Sequence, residues 1–315
     1  MKFSVVVIDY KRKIYILDAL RSIKNQEGID LNDLELVVVK YYEDEKIDNY
    51  IKENFPNYKI INLDLNDPNH WVGRTLSEGI KNASNNLIFL LEDDDLFRKN
   101  KIKTILEFIK KKKLIEKNIN FLIHNNWINI DQNKNLTYKK IRYKYLNKLI
   151  LKTIEYKKNK ITFWHNTSSM TIYLKDNYNK NKLLEFLKDI KRSPDSTIVA
   201  FFLNYGKVYN ISDILTLYRQ SINSTSRTPG LKINLDFLYD IIRTCNRIQK
   251  NKGKIFSVSL NYRIYLNLKY SYDFPIYLLD AYNSLKYFNI VKILFYLFYK
   301  IRKIYLLEKM LNNLL

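Results

Sequence analysis

Residues 90–97 read LLEDDDLF. An apolar run, Leu87 to Leu91, passes directly into four consecutive carboxylates, Glu92 to Asp95. A short apolar run of this kind is the pattern of a strand buried on both faces. Similar runs stand at Phe3–Ile8, Leu34–Val39 and Lys59–Leu63. Between them, residues 14–25, 46–54 and 74–83 carry helical spacing, with Ile14, Leu17, Leu20 and Ile23 on one face. Strands alternating with helices predict a doubly wound, parallel α/β sheet. In such a sheet ligands bind at the carboxyl ends of the strands, and LLEDDD is one of those ends.

Four adjacent acids repel one another unless a cation neutralises them. Mg²⁺ or Mn²⁺ bound by one or two carboxylates keeps positions open for water and phosphate oxygens. Such an ion lets a diphosphate approach acidic side chains and stabilises it as a leaving group. The competing reading is a solvated acidic turn capping the next helix, since Asp favours N-caps.

The rest of the chain extends the pattern. A helix is predicted over about 99–117, with Lys110–Lys113 on a solvated face. Further strands are expected at 121–130, 161–174 and 207–218, and helices at 183–190 and 196–203. After Ser226 the texture changes: residues 231–315 are aromatic and basic, with 14 Lys and Arg against 5 Asp and Glu. This places a domain boundary near Pro229–Gly230, separating a catalytic unit over 1–230 from a helical region over 231–315. Residues 287–305 carry Lys292, Lys300 and Lys303 on one stripe of an apolar helix. That helix suits packing on protein or contact with a membrane surface.

Composition narrows the class. The chain has 315 residues, 46% of them hydrophobic, and a net charge of +22. The charge favours anionic partners. The single cysteine, Cys245, excludes an intrachain disulfide and a multi-cysteine zinc site, and fits a reducing compartment. The N-terminal apolar run is too short for a signal peptide, and no stretch is long and apolar enough to span a bilayer. These features point to the cytoplasm, with peripheral contact at the cytoplasmic membrane face left open.

Two segments together carry a resemblance. SVVVIDYKRKIYILDALRSIKNQ (residues 4–26) resembles the opening strand, turn and helix of family 2 glycosyltransferases of the GT-A fold, through Ser4–Val7, Tyr10, Arg12, Leu17, Ala19–Leu20, Ser22 and Asn25–Gln26. LLEDDDLF resembles that family's aspartate–any–aspartate motif with its following aromatic. The resemblance covers about residues 1–220. It implies a GT-A-type, mostly parallel sheet flanked by helices, Rossmann-like, with a basic helical C-terminal extension. It also implies an inverting, metal-assisted transfer of a sugar from a nucleotide-diphosphate-sugar donor to a hydroxyl on a glycan, a lipid carrier or a protein.

By the same resemblance, Glu92, Asp94 and Asp95 hold Mn²⁺ or Mg²⁺. The nucleotide set comprises Asp9, Tyr10, Arg12, Tyr41, Glu43, Arg74, Asp93 and Arg219. Asp9 would accept a hydrogen bond from a uracil or guanine edge, or else cap the helix after it. Lys40 and Tyr41 stand where the family carries aspartates, so Tyr41 would stack on the base, or Glu43 or Asp44 would replace them. Arg74 and Arg219 would hold phosphates. Asp195, in RSPDSTIVAFFL, takes the place of the base that deprotonates the acceptor; an ordinary N-cap explains the residue equally well. His165, Asn166 and Ser168, in ITFWHNTSSMTIYL, would line the substrate pocket.

Two other readings compete. Sugar nucleotidyltransferases share the sheet and acidic tip, but need a glycine-rich loop that VVVIDYKRK lacks. A basic nucleic-acid-binding protein would use the charge and the 26 tyrosines. However, the lysines are spread along the chain, and the acidic cluster repels phosphate backbones.

Overall fold

A computed structural model describes residues 1–10, 13–67, 71–136 and 166–220, together with Asp240, Arg243, Thr244 and Arg247. The boundary expected near 229–230, and the helix expected over 287–305, lie outside the described residues.

Strands β1 (Phe3–Ile8), β2 (Leu34–Lys40), β3 (Tyr58–Asn62) and β4 (Leu87–Glu92) form the parallel half of one sheet. Helices α1 (Ile16–Lys24), α2 (Glu45–Asn54) and α3 (Val72–Asn82) connect them. The other half holds β5 (Leu96–Phe97), β6 (Phe121–Ile130), β7 (Met170–Tyr173) and β8 (Lys207–Arg219), with α4 (Lys101–Lys111), α5 (Asn177–Leu187) and α6 (Pro194–Tyr205). The strand order is β3-β2-β1-β4-β7-β6-β8-β5. β7 pairs antiparallel with β4 and β6, and β5 pairs antiparallel with β8. β6 and β8 run parallel, across an irregularity at Asn125–Trp127.

Alternation along the strands splits the core between the two faces. Val6, Ile8, Ile88 and Leu90 meet Leu76 and Ile80 of α3, Leu183 of α5, and Ile198 and Phe201 of α6. Val5, Val7, Phe89 and Leu91 meet Ile16 and Leu20 of α1, Ile47 of α2, and Ile102 and Ile105 of α4. β1 is buried over its whole length, as a strand covered on both faces must be. The helix expected to reach residue 117 ends at Lys111, because Lys113 adopts a left-handed backbone with φ 49°. Of the strand expected over 161–174, residues 161–165 lie outside the described residues; β7 starts at Met170, after a 3₁₀ turn at Thr167–Ser169.

Topology gathers several chain ends at one rim. β4, β6 and β8 all point the same way, and β7 points the opposite way. The carboxyl ends of β1, β4 and β8 therefore share an edge with the amino end of β7. α3 starts there after β3, and α6 starts there before it returns to β8.

Candidate active site

The acidic loop follows β4 at this rim. One oxygen from each of Glu92, Asp94 and Asp95 lies within 4.8 Å of the others. Glu92 is half-buried, whereas Asp93, Asp94 and Asp95 are buried. The loop is stitched down by its backbone: Asp93 donates its N–H to Ile8 O at 3.0 Å, and Asp95 donates to Glu92 O at 3.2 Å. Burial pushes the Asp95 carboxyl well above the usual carboxylate range, and the charges of Asp94 and Glu92 push it further. Bonds from Ser168 and from the Arg219 backbone oppose that shift. A set of converging carboxylate oxygens is hard-donor chemistry, which suits Mg²⁺ or Mn²⁺.

Arg219, expected at a phosphate, lies directly beneath the acidic loop. It is fully buried. Its backbone N–H donates to Asp95 Oδ1 at 2.8 Å and its Nε donates to Asp94 O at 2.8 Å. Nη1 donates to Gln132 O at 2.6 Å, and Nη2 lies 3.3 Å from Asp18 Oδ2. The guanidinium also lies over the Tyr15 ring, 4.4 Å from its centroid. Every guanidinium nitrogen thus donates to an oxygen of the protein, so Arg219 braces the acidic loop from below.

Ser168, expected at the substrate, is buried for a similar reason. It accepts the Glu92 N–H at 3.0 Å and bonds the Asp95 carboxylate. Asn166 is 9% exposed, and its amide atoms have no hydrogen-bond partner among the described residues. His165 and Arg12 lie outside the described residues. Lys101 gave no signal in the sequence, where it reads as one of several lysines opening a helix. Its ammonium is completely buried, donates to Ser168 O and to Thr216 Oγ1 at 3.0 Å, and lies over the Phe97 ring at 3.9 Å. Burial holds its pKa well below the ordinary lysine value, with Asp95 opposing.

On the β1–β2 side, Asp9 is buried, takes the Tyr42 hydroxyl on Oδ2, and donates its N–H to Val39 O at 2.8 Å. Tyr10 is half-buried and meets the Tyr41 ring edge-on at 5.9 Å. Tyr41 itself is 5% exposed, with its hydroxyl 2.9 Å from Thr75 Oγ1. Burial raises its pKa. A ring so enclosed offers a base little area, and Tyr10 is the more accessible ring of the two. Asp44 is taken by the N-cap of α2, accepting Ile47 N–H at 3.2 Å, and Glu43 is exposed beside it. Lys40 is buried and paired with Asp48 at 3.1 Å. Arg74, in the first turn of α3, pairs with Asp67 and remains partly exposed.

Asp195 opens α6 behind Pro194, and its Oδ1 accepts the Ser196 N–H at 2.7 Å. The starts of α6 and α3 are neighbours. Gly73 donates its N–H to Ile190 O at 2.9 Å, and a Cβ on Gly73 would lie 2.5 Å from that oxygen. Only glycine permits so close an approach.

A curled eight-stranded α/β sheet with helices on both faces and an acidic loop after its fourth strand is the architecture of GT-A glycosyltransferases. The Glycosyl transferase family 2 model matches residues 4–180, and the chain belongs to that family. No curated protein sequence matches it significantly. Among solved structures, residues 1–349 of TarS from S. aureus are 18% identical, with a TM-score of 0.60 over 90% of this chain and 79% of that one. The same protein in complex with UDP-GlcNAc is 18% identical, with a TM-score of 0.57 over 93% of this chain and 78% of that one. The mannosyltransferase PcManGT from Pyrobaculum calidifontis, in complex with GDP-Man and Mn²⁺, is 12% identical, with a TM-score of 0.51 over 93% and 82%. At these identities the likeness establishes the fold.

Proposed function

We propose that this glycosyltransferase moves a sugar from a nucleotide-diphosphate-sugar to a hydroxyl of a glycan, a lipid carrier or a protein, with inversion at the anomeric carbon. The observation that carries the reading is the convergence of Glu92, Asp94 and Asp95 at the sheet's rim. Relatives in fold bind UDP-GlcNAc, or GDP-Man with Mn²⁺, which supports a nucleotide-sugar donor and a divalent ion.

In this reading Glu92, Asp94 and Asp95 hold Mn²⁺ or Mg²⁺. When bound, the ion neutralises the donor diphosphate and the charge that develops as it leaves. Asp93 belongs to the same loop and fixes its backbone against β1. Asp9 and Tyr10 face the base, Glu43 the ribose side, and Arg74 a phosphate, exchanging Asp67 for the ligand. Asn166, whose amide atoms have no partner among the described residues, takes the sugar or the acceptor.

Asp195 takes the proton from the acceptor hydroxyl on a carboxylate oxygen. The hydroxyl's electron pair forms the new bond to the anomeric carbon from the face opposite the diphosphate. The bond from that carbon to the diphosphate oxygen breaks, and its electrons leave on the nucleoside diphosphate. Such proton transfer contributes about 10²–10⁴-fold to rate.

The test is release of nucleoside diphosphate from a panel of UDP- and GDP-sugars, with Mn²⁺, with Mg²⁺ and with EDTA. Metal-dependent release from one donor supports the reading. Absence of release, together with no nucleotide-induced thermal shift, contradicts it.

A further inference from the structure

The described residues beyond 230 are Asp240, Arg243, Thr244 and Arg247, all with helical backbone. Their spacing, i, i+3, i+4 and i+7, puts them on a single helix face. Asp240, Arg243 and Arg247 touch the segment that leads into α6 or the helix before it, and Thr244 touches α6 itself at Thr197.

Asp240 makes the densest contact. Its Oδ1 accepts the Lys191 N–H at 2.8 Å. Its Oδ2 accepts the Arg192 N–H at 2.6 Å and the Ser193 N–H at 2.9 Å, with the Ser193 hydroxyl at 3.4 Å. Arg243 donates to Asp189 O at 2.6 Å and lies over the Trp71 ring, where Lys191 also sits. Thr244 Oγ1 lies 2.9 Å from Thr197 Oγ1, and Thr197 bonds back to Ser193 O. Arg247 pairs with Asp189 and donates to Phe186 O at 2.8 Å.

We infer that Asp240 is a positioning residue for the transfer reaction: its carboxylate fixes the 191–193 loop, which sets the start of α6 and the direction of Asp195. The inference rests on the proposed role of Asp195 as base. Three successive backbone N–H groups point at one carboxylate, so the loop's course is tied to it. Pro194 allows little freedom at the next φ, and Asp195 follows at once. The loop also carries Ile190, whose carbonyl receives Gly73 at the start of α3. Asp240 is thereby a working part of the rim, because small misplacements of a reacting group are costly.

The experiment compares Asp240→Asn with Arg247→Met in the full chain, each assayed well below its melting temperature. Arg247→Met removes a contact of the same helix face without touching the 191–193 loop. Asp240→Asn is expected to keep UDP or GDP affinity in Mn²⁺ within about twofold while kcat falls about tenfold or more. Amide exchange at 191–193 is expected to quicken in the same variant. Arg247→Met is expected to keep kcat within about twofold of wild type, since it leaves Asp195 in place. Wild-type kcat in Asp240→Asn, or an equal kcat loss in both variants, overturns the inference. If Asp240→Asn does not fold, Asp240→Ser, which keeps one acceptor oxygen, carries the test. Failure of both to fold, where Arg247→Met folds, also overturns it by making the role purely structural. Asp195→Asn separates the two claims: retained turnover there removes the base assignment, whereas a dead Asp195→Asn beside a fully active Asp240→Asn removes only the positioning role.

Discussion

The backbone N–H of Arg219 donates to the Asp95 carboxylate at 2.8 Å, across 124 residues of sequence. The end of β8 is thereby locked to the acidic loop after β4. The same residue's guanidinium spans Asp94 O, Gln132 O and Asp18. The loop that carries two mutually repelling carboxylates is thus tied down by the Arg219 backbone N–H at Asp95 and by its guanidinium at the Asp94 carbonyl.

Arg219→Met should destabilise the ligand-free protein by about 3–5 kcal/mol, the usual cost of removing one partner from a buried charged network. Urea unfolding without nucleotide measures it. Unchanged ligand-free stability with weakened nucleotide binding would return Arg219 to the phosphate role first expected of it.

Gly73→Ala should cost about 3 kcal/mol, because the new methyl meets the carbonyl oxygens of Leu187 and Ile190, and backbone cannot move aside as a side chain can. Thermal unfolding reads the loss. A variant as stable as wild type would show that α3 and the segment before α6 are less tightly joined than the 2.9 Å bond from Gly73 to Ile190 implies.

Stability should depend on pH through His124. The imidazole is buried, bonded at Nδ1 to Asn210, and held by that burial at about 4. In the unfolded chain it titrates near about 6.5. Between these values the unfolded state carries a proton that the folded state refuses, so stability falls as pH drops from about 6.5 towards 4. A shift of this size is worth about 3 kcal/mol. His124→Gln should remove that part of the acid sensitivity in unfolding measured from pH 7 to pH 4. Parallel pH curves for the two proteins would show that His124 does not refuse the proton.

Asp195→Asn should leave donor binding near wild type and lower transfer by about 10²–10⁴-fold. Calorimetry and product release separate the two. Weakened donor binding at wild-type turnover would assign Asp195 to the donor and move the base elsewhere.

Much of the parallel half was legible in the sequence. Phe3–Ile8 and Leu87–Leu91 are apolar runs too short for helices, and the acids at the end of the second could be placed before any coordinates. The long-range bonds were not legible. Lys101 reads as a helix-opening lysine beside Lys99 and Lys103, yet of the three it alone is enclosed, because the Thr167–Ser169 turn and β8 receive its ammonium. Ser168 looked like a pocket hydroxyl, but the reversed direction of β7 carries it under Glu92. Asp240 lies in a basic, aromatic stretch without any motif. Its partners are backbone N–H groups, which leave no trace in residue identity. Tyr41 follows directly on β2, and its burial was not legible either, since it depends on Thr75 of α3 meeting its hydroxyl.

The central claim is that Glu92, Asp94 and Asp95 converge to hold a divalent ion against the donor diphosphate. Manganese anomalous scattering from a crystal soaked with Mn²⁺ and UDP or GDP tests it most directly. The account predicts a peak bonded to Asp94 and to at least one of Glu92 and Asp95, with the diphosphate on its other side. A nucleotide bound at the rim with no manganese there, or manganese bound only elsewhere, would contradict it.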